Sequence, residues 1–172
     1  MKNIELFDLV DENDNVIGTV TREEVHGNPS LIHRVAHVLV FNSSGYLYLQ
    51  KRADDKDVQP GRWDTSVGGH VDSGEEYAAA AYREMKEELG ITDTRIEPVH
   101  KYLHSNEFES EYVSTFKAVW DGTITFDPGE IADGRFWSLE EIERRKPEGI
   151  FTPNFLDELD RYQRREARRP HP

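Results

Sequence analysis

The distribution of apolar and polar positions along the chain predicts most of its elements. Between Ile4 and Val20 the runs ELFDLV and VIGTV flank the acidic turn-formers Asp11-Glu12-Asn13-Asp14-Asn15, which predicts a β-hairpin over about residues 4–20. A polar link through His26, Gly27, Asn28 and Pro29 leads to two β-rich runs, Ile32–Phe41 and Tyr46–Arg52. Their separator, Asn42-Ser43-Ser44-Gly45, predicts a second hairpin. The polar stretch Ala53–Arg62, with a turn at Pro60-Gly61, precedes Trp63 and a short strand around Thr65–Val67.

After Ser73 the period becomes helical. Ser73 and Glu76 have capping-box spacing, Ala78, Tyr82, Met85 and Leu89 form one apolar stripe, and Gly90 terminates it, so a helix is expected from about Glu75 to Leu89. Strands at Ile96–Leu103 and Glu111–Trp120, a hairpin-like DGTITF and a strand at Arg135–Trp137 follow. A short helix at Leu139–Arg144 comes next, then a C-terminal helix over about 153–168, capped by Thr152, opened by Pro153 and buried along Phe155, Leu159 and Tyr162. Strands interleaved irregularly with helices, without repeats or a long linker, imply an α/β (α+β) chain. It is expected to form a single domain over 1–172, with a mixed β-sheet sandwiched between α-helices.

Charge narrows the partners. Of 172 residues, 34 are Asp or Glu and 21 Lys or Arg, a formal net charge of −13, and five of the arginines fall at Arg161, Arg164, Arg165, Arg168 and Arg169. Residues 1–160 alone carry −17. Such a surface repels a nucleic-acid backbone, while small anions bound through divalent metals remain admissible. The terminal arginines are read as solvated. The alternatives are capping of their own helix and contact with the acidic body of a second copy in a homodimer. There are no cysteines, so thiolate zinc sites, disulfides and thiol nucleophiles are excluded together. Acids interrupt the first fourteen residues and no window holds 18 apolar residues, so no membrane partner is expected and the cytoplasm is the expected compartment.

The expected chemistry lies on the first long helix. Glu84 and Glu88 are four residues apart and project side by side, Glu87 is adjacent, and Arg83 stands one turn before Glu87, where it can orient that carboxylate. Like charges so close destabilise the helix unless something positive sits between them. Carboxylates on one helix face suit Mg²⁺ or Mn²⁺, which share their remaining positions with water and substrate phosphates. The preceding Gly68-Gly69-His70-Val71-Asp72-Ser73-Gly74 is read as a turn whose bare backbone can approach a metal or phosphate.

Residues 69–91 read Gly-x5-Glu-x7-Arg-Glu-Met-x-Glu-Glu-x-Gly-Ile, and this segment resembles the Nudix box at every fixed position: Gly69, Glu75, Arg83, Glu84, Glu87, Glu88 and Gly90. The resemblance implies the Nudix fold, with the box as loop-helix-loop. It also implies Mg²⁺ (or Mn²⁺) held by Glu84, Glu88, Glu87 and the Gly69 carbonyl, with Glu87, Glu88 and Arg83 in catalysis and Glu75 supporting. The implied reaction is hydrolysis of a diphosphate linked to another moiety, whether a nucleoside diphosphate derivative or another small organic diphosphate.

Over most of residues 5–90 the chain also resembles the type I isopentenyl-diphosphate isomerase branch of the family, through FDLVDENDNVIGTVTREEVH, LIHR and LYLQKRADDKDVQPGRWDTSVGGHVDSGE. That likeness implies a second metal site at His26, His33, His70, Glu109 and Glu111, and phosphate contacts from Arg52 and Lys56. The catalytic cysteine of those isomerases falls at Gly68, which disfavours an isomerase. The complete box disfavours a non-catalytic ligand-binding domain. Outside these sets, His37 and His104 are read as structural and Trp63 as a core aromatic. Among the loop acids Glu107, Asp127, Glu130 and Asp133, the sequence selects none.

Overall fold

Strand β3, Ile32–Phe41, organises the molecule, whose computed structural model describes residues 3–170. Its run VAHVLVF is apolar on both faces because both faces are covered. Ala36, Val38 and Val40 point to one side and Leu39 and Phe41 to the other, all at most 4% exposed. Along one edge β3 runs parallel to β8 (Ser110–Val119) over its full length, and β8 continues antiparallel into β7 (Ile96–Ser105). The other edge is shared in succession. The hairpin β1 (Leu6–Val10) and β2 (Val16–Thr21) meets it at Ile32, β6 (Val67–His70) lies along Val35–Val38, and β4 (Leu47–Arg52) touches it at Phe41. β4 then pairs with β9 (Ile131–Trp137) and with the two-residue β5 (Trp63–Asp64).

Helices cover the two faces. α2 (Tyr77–Leu89) packs Ala80, Ala81, Met85 and Leu89 on Ala36, Val38, Val40, Phe116 and Ala118. α4 (Pro153–Ala167) packs Phe155, Leu159 and Tyr162 on Leu39, Phe41, Leu47, Leu49 and Trp137. Among the described residues the short α1 (Arg22–Val25) and α3 (Leu139–Arg145) complete the helices, apart from a 3-10 turn at Lys146–Glu148. The sheet is mixed and flanked by helices, as expected. Among the described residues no helix is long and apolar enough to cross a membrane.

Several local expectations are corrected. Tyr46–Arg52 does not form a hairpin with β3 beyond the Phe41–Leu47 pair, because β6 takes the β3 edge and β9 takes β4. The Ser73–Glu76 box is absent: Ser73 Oγ donates instead to Asp8 of the N-terminal hairpin, and the helix begins at Tyr77 without a side-chain cap. A capping box does form at Thr21–Glu24, opening α1 just before the expected polar link. The apolar stripe of α2 runs through Ala81, Met85 and Leu89, with Ala78 and Tyr82 exposed, since neighbours three and four residues from Met85 compete for the buried face. DGTITF is not a strand; Ile124 and Phe126 pack on the α2 core while Thr125 N donates to the Leu89 carbonyl at the helix end. The strand expected at 65–67 is split, because Ser66 Oγ donates to the Tyr48 carbonyl and accepts from Val40 N in place of a ladder bond.

Candidate active site

Gly68-Gly69-His70 is strand rather than turn, and side chains approach the two glycines closely from opposite faces. On the α2 face a Cβ at Gly69 would overlap the Glu84 carboxylate. On the α4 face a Cβ at Gly68 would lie 3.1 Å from Cδ2 and 3.2 Å from Nε2 of His37. The expected turn starts only after His70, at Asp72-Ser73-Gly74.

α2 carries Glu84, Glu87 and Glu88 on the turns next to this strand. Glu88 Oε2 accepts from Gln50 Nε2 at 2.9 Å and, at 3.4 Å, from Gly68 N. Burial and the neighbouring Glu84 charge push the Glu88 carboxyl up to about 8. Glu84 is raised as well, by burial against the pull of Arg83. Arg83 Nη1 donates to Glu84 Oε1 at 2.6 Å and lies 3.5 Å from Glu87 Oε2. Its firmest grip is elsewhere: Nε and Nη2 donate to the two oxygens of Glu75 at 3.0 and 2.9 Å, and Nη2 also reaches the His70 carbonyl at 2.9 Å. Glu75 therefore clamps Arg83, and its own carboxyl is lowered chiefly by that guanidinium. Glu87, the expected partner of Arg83, is held more loosely and is more than half exposed.

A second cluster lies beyond the same strand. His33, His70 and Glu111 each offer a ligand atom within 4.8 Å of the others, and His33 Nε2 is 3.5 Å from Glu111 Oε1. His33 is fully buried with neither ring nitrogen hydrogen-bonded. Burial and the His33 ring push His70 down to about 4, so its imidazole is neutral and available as a ligand at neutral pH. His26 flanks the group, its ring 5.9 Å from that of His70. Glu109 precedes the buried Ser110 on the same strand connection, its carboxyl raised by burial and by Glu111. Of the five expected positions, three converge and His26 and Glu109 border them. Two imidazoles, that of His33 with both nitrogens unpartnered, and a carboxylate suit a borderline divalent ion.

Arg52 and Lys56 are already engaged. Arg52 donates to the Val58 carbonyl at 2.9 Å and lies 3.5 Å from Asp64, and Lys56 pairs with Glu130 at 2.9 Å. Trp63, expected as a core aromatic, is partly buried and packs edge-on to Trp137 at 5.0 Å at the margin of the α4-side core. Two groups escaped the sequence reading. Gln50 orients Glu88 from β4, and Glu158, 1% exposed on α4, holds His37. The signal for Glu158 was present, since a carboxylate between Phe155 and Leu159 sits on the apolar stripe of its helix.

The family model described as NUDIX domain matches residues 31–159. An uncharacterized Nudix hydrolase of Pseudomonas aeruginosa is 38% identical over 158 residues, covering 92% of this chain and 93% of that one. An isopentenyl-diphosphate Delta-isomerase of Streptomyces coelicolor is 34% identical over 161 residues, covering 90% and 82%. Among solved structures, DR0079 from Deinococcus radiodurans superposes with a TM-score of 0.76 at 29% identity, over 90% of this chain and 96% of that one.

Proposed function

This chain belongs to the Nudix hydrolase family, whose members act on phosphoric anhydride bonds, and from that premise we propose that it is a divalent-metal-dependent pyrophosphohydrolase of a small organic diphosphate, such as a nucleoside diphosphate derivative. The observation that carries the reading is the pair Glu84 and Glu88. Two neighbouring carboxylates are both destabilised in their charged form, and the hydrogen-bond partners of Glu88 are a neutral amide and a backbone N–H. Such a pair is satisfied by a cation.

The donor set fits Mg²⁺ or Mn²⁺: carboxylates of Glu84, Glu88 and Glu87, with the bare Gly69 backbone against Glu84. When bound, the ion offsets phosphate charge and acidifies a coordinated water. Gln50 and Gly68 N fix the Glu88 carboxylate in one orientation. Arg83, locked by Glu75, holds Glu84 and steers Glu87, whose exposure leaves it free to take a proton from an attacking water. The departing group is itself a phosphate, so no protein nucleophile is needed. Arg52 and Lys56 contribute to phosphate binding only by exchanging Asp64 and Glu130 for substrate. The His33–His70–Glu111 group is read as a second metal site.

The isomerase alternative rests on the 34% likeness to the Streptomyces enzyme. Against it stand the lack of any cysteine and the His37 ring, which crowds a side chain at position 68. The test is a panel of nucleoside diphosphates and triphosphates, sugar nucleotides and prenyl diphosphates with Mg²⁺, run beside Glu88→Gln. Mg²⁺-dependent release of a phosphorylated product, lost in the variant, is expected. Isomerised product from isopentenyl diphosphate would establish the alternative. Binding of one ligand without turnover of any would make the chain a ligand-binding domain.

A further inference from the structure

The two faces of the sheet meet at Gly68. On the α2 side its N–H donates to Glu88, at a length where a shift of a few tenths of an ångström makes or breaks the bond. On the α4 side the imidazole of His37 lies directly across the β3–β6 ladder, its Cδ2–Nε2 edge 3.1–3.2 Å from where a Cβ at Gly68 would stand. That ring is held at Nδ1. His37 Nδ1 stands 3.1 Å from both oxygens of Glu158, Thr115 Oγ1 donates to Glu158 Oε1 at 2.5 Å, and His100 Nε2 lies 3.9 Å from the same oxygen. Glu158 is set by the helix around it, because Phe155 and Leu159, each 1% exposed, pack on the sheet to either side of it.

We propose that His37, held by Glu158, is a positioning residue that fixes where the Gly68–Gly69 strand stands against Glu84 and Glu88 of the acidic helix. A buried carboxylate and an imidazole gripped at one nitrogen form a stiff strut, and a strut resting on a glycine transmits its position straight to the backbone. Burial opposes the charged ring, but the Glu158 carboxylate outweighs it and holds His37 up to about 9, so the grip is a charged one at neutral pH. α4 thereby reaches the carboxylate cluster through the sheet, from the face opposite α2. What is positioned is metal-binding by the pyrophosphohydrolase reading; that the strand is positioned stands on geometry alone.

Substitutions at positions 37, 68 and 158 separate these statements. In His37→Asn the amide nitrogen replaces Nδ1 and the edge resting on Gly68 is removed. Because Asn leaves Glu158 buried without a counter-charge, the same change is also made in Glu158→Gln, where a neutral amide pair replaces the ion pair. Two readouts follow in the metal-free protein and on titration with Mg²⁺ alone: the backbone amide resonances of Gly68 and Gly69, and the Mg²⁺ dissociation constant. Glu158→Gln, which keeps the ring, should stay close to the parent. Adding His37→Asn should move both resonances and weaken Mg²⁺ about tenfold. Adding Gly68→Ala to that background, where the methyl now refills the space, should return both readouts toward the parent, although Gly68→Ala alone in the parent disturbs them. Unmoved glycine resonances in the Asn variants, or losses that multiply instead of compensating, would overturn the proposal. Glu84→Gln is the control for the underlying reading: if it binds Mg²⁺ like the parent, the metal assignment fails, and the metal-free resonances still judge His37.

Discussion

Arg83 and Glu75 form a bidentate pair, Nε to Oε1 at 3.0 Å and Nη2 to Oε2 at 2.9 Å, that joins the loop before α2 to the middle of the helix. The same guanidinium holds Glu84 and the His70 carbonyl, so one side chain ties the acidic helix to the strand it works against. Glu75→Gln is therefore expected to lower turnover about tenfold or more while leaving the Glu84 and Glu88 carboxylates in place. Steady-state kinetics check this, and Glu75→Asp, which keeps the charge at shorter reach, should fall between the two.

Glu88→Gln should separate stability from activity. The Glu88 carboxyl is raised above its ordinary value to about 8, so ionising it destabilises the metal-free fold. That destabilisation grows as pH rises from the ordinary carboxylate range through about 8. The amide removes it, so the metal-free variant should melt higher than the parent at pH 8 and no higher at pH 4, while turnover falls about a hundredfold or more. Thermal unfolding with EDTA and an Mg²⁺ assay read the two effects.

Gly69→Ala tests the close approach directly. The new methyl overlaps the Glu84 carboxylate, which must swing off the strand. A stability loss of about 1–3 kcal/mol is expected, with weakened Mg²⁺ binding. An alanine variant that binds Mg²⁺ as the parent does would place the ion away from Glu84.

The His33–His70–Glu111 group predicts a metal response distinct from that of the acidic helix. Zn²⁺ or Mn²⁺ should raise the unfolding temperature, by about 2.7 kcal/mol of stabilisation at a hundredfold excess over Kd, and His70→Ala should abolish the Zn²⁺ shift. Mg²⁺ should act through Glu84 and Glu88 and be unaffected by that substitution. Elemental analysis of the purified protein completes the test.

The Glu158–His37 pair gives a pH signature. His37 is raised above its ordinary value to about 9, so its contribution is fully present below about pH 6.5 and is lost as pH rises through about 9. Glu158 is held below the usual range, with burial opposed by His37 and the hydrogen bonds around it, so its contribution is present above the usual carboxylate pKa and fades only in strong acid. The parent should therefore lose stability between about pH 6.5 and 9, and the neutral pair Glu158→Gln with His37→Asn should be flat across that window. Glu158→Ala, which leaves the imidazole unpaired, should cost about 3–5 kcal/mol at pH 7.

The sequence by itself determined the elements whose cause is local. The apolar run of β3, the hairpin at residues 4–20, the Thr152-Pro153 start of α4 and the one-turn spacing of Glu84 and Glu88 depend on residues a few positions apart, so they were legible. So was the spacing of the acidic box. Tertiary structure alone decided the rest. Ser73 gave up its cap to an Asp8 that lies 65 residues away in sequence, and Gly68-Gly69 proved to be strand because they pair with His37 and Ala36 of β3. Glu158 met His37 across 121 residues of chain. A buried charge, a close approach and a shared strand edge are relations between distant segments, and their energies exist only once the sheet has brought those segments together.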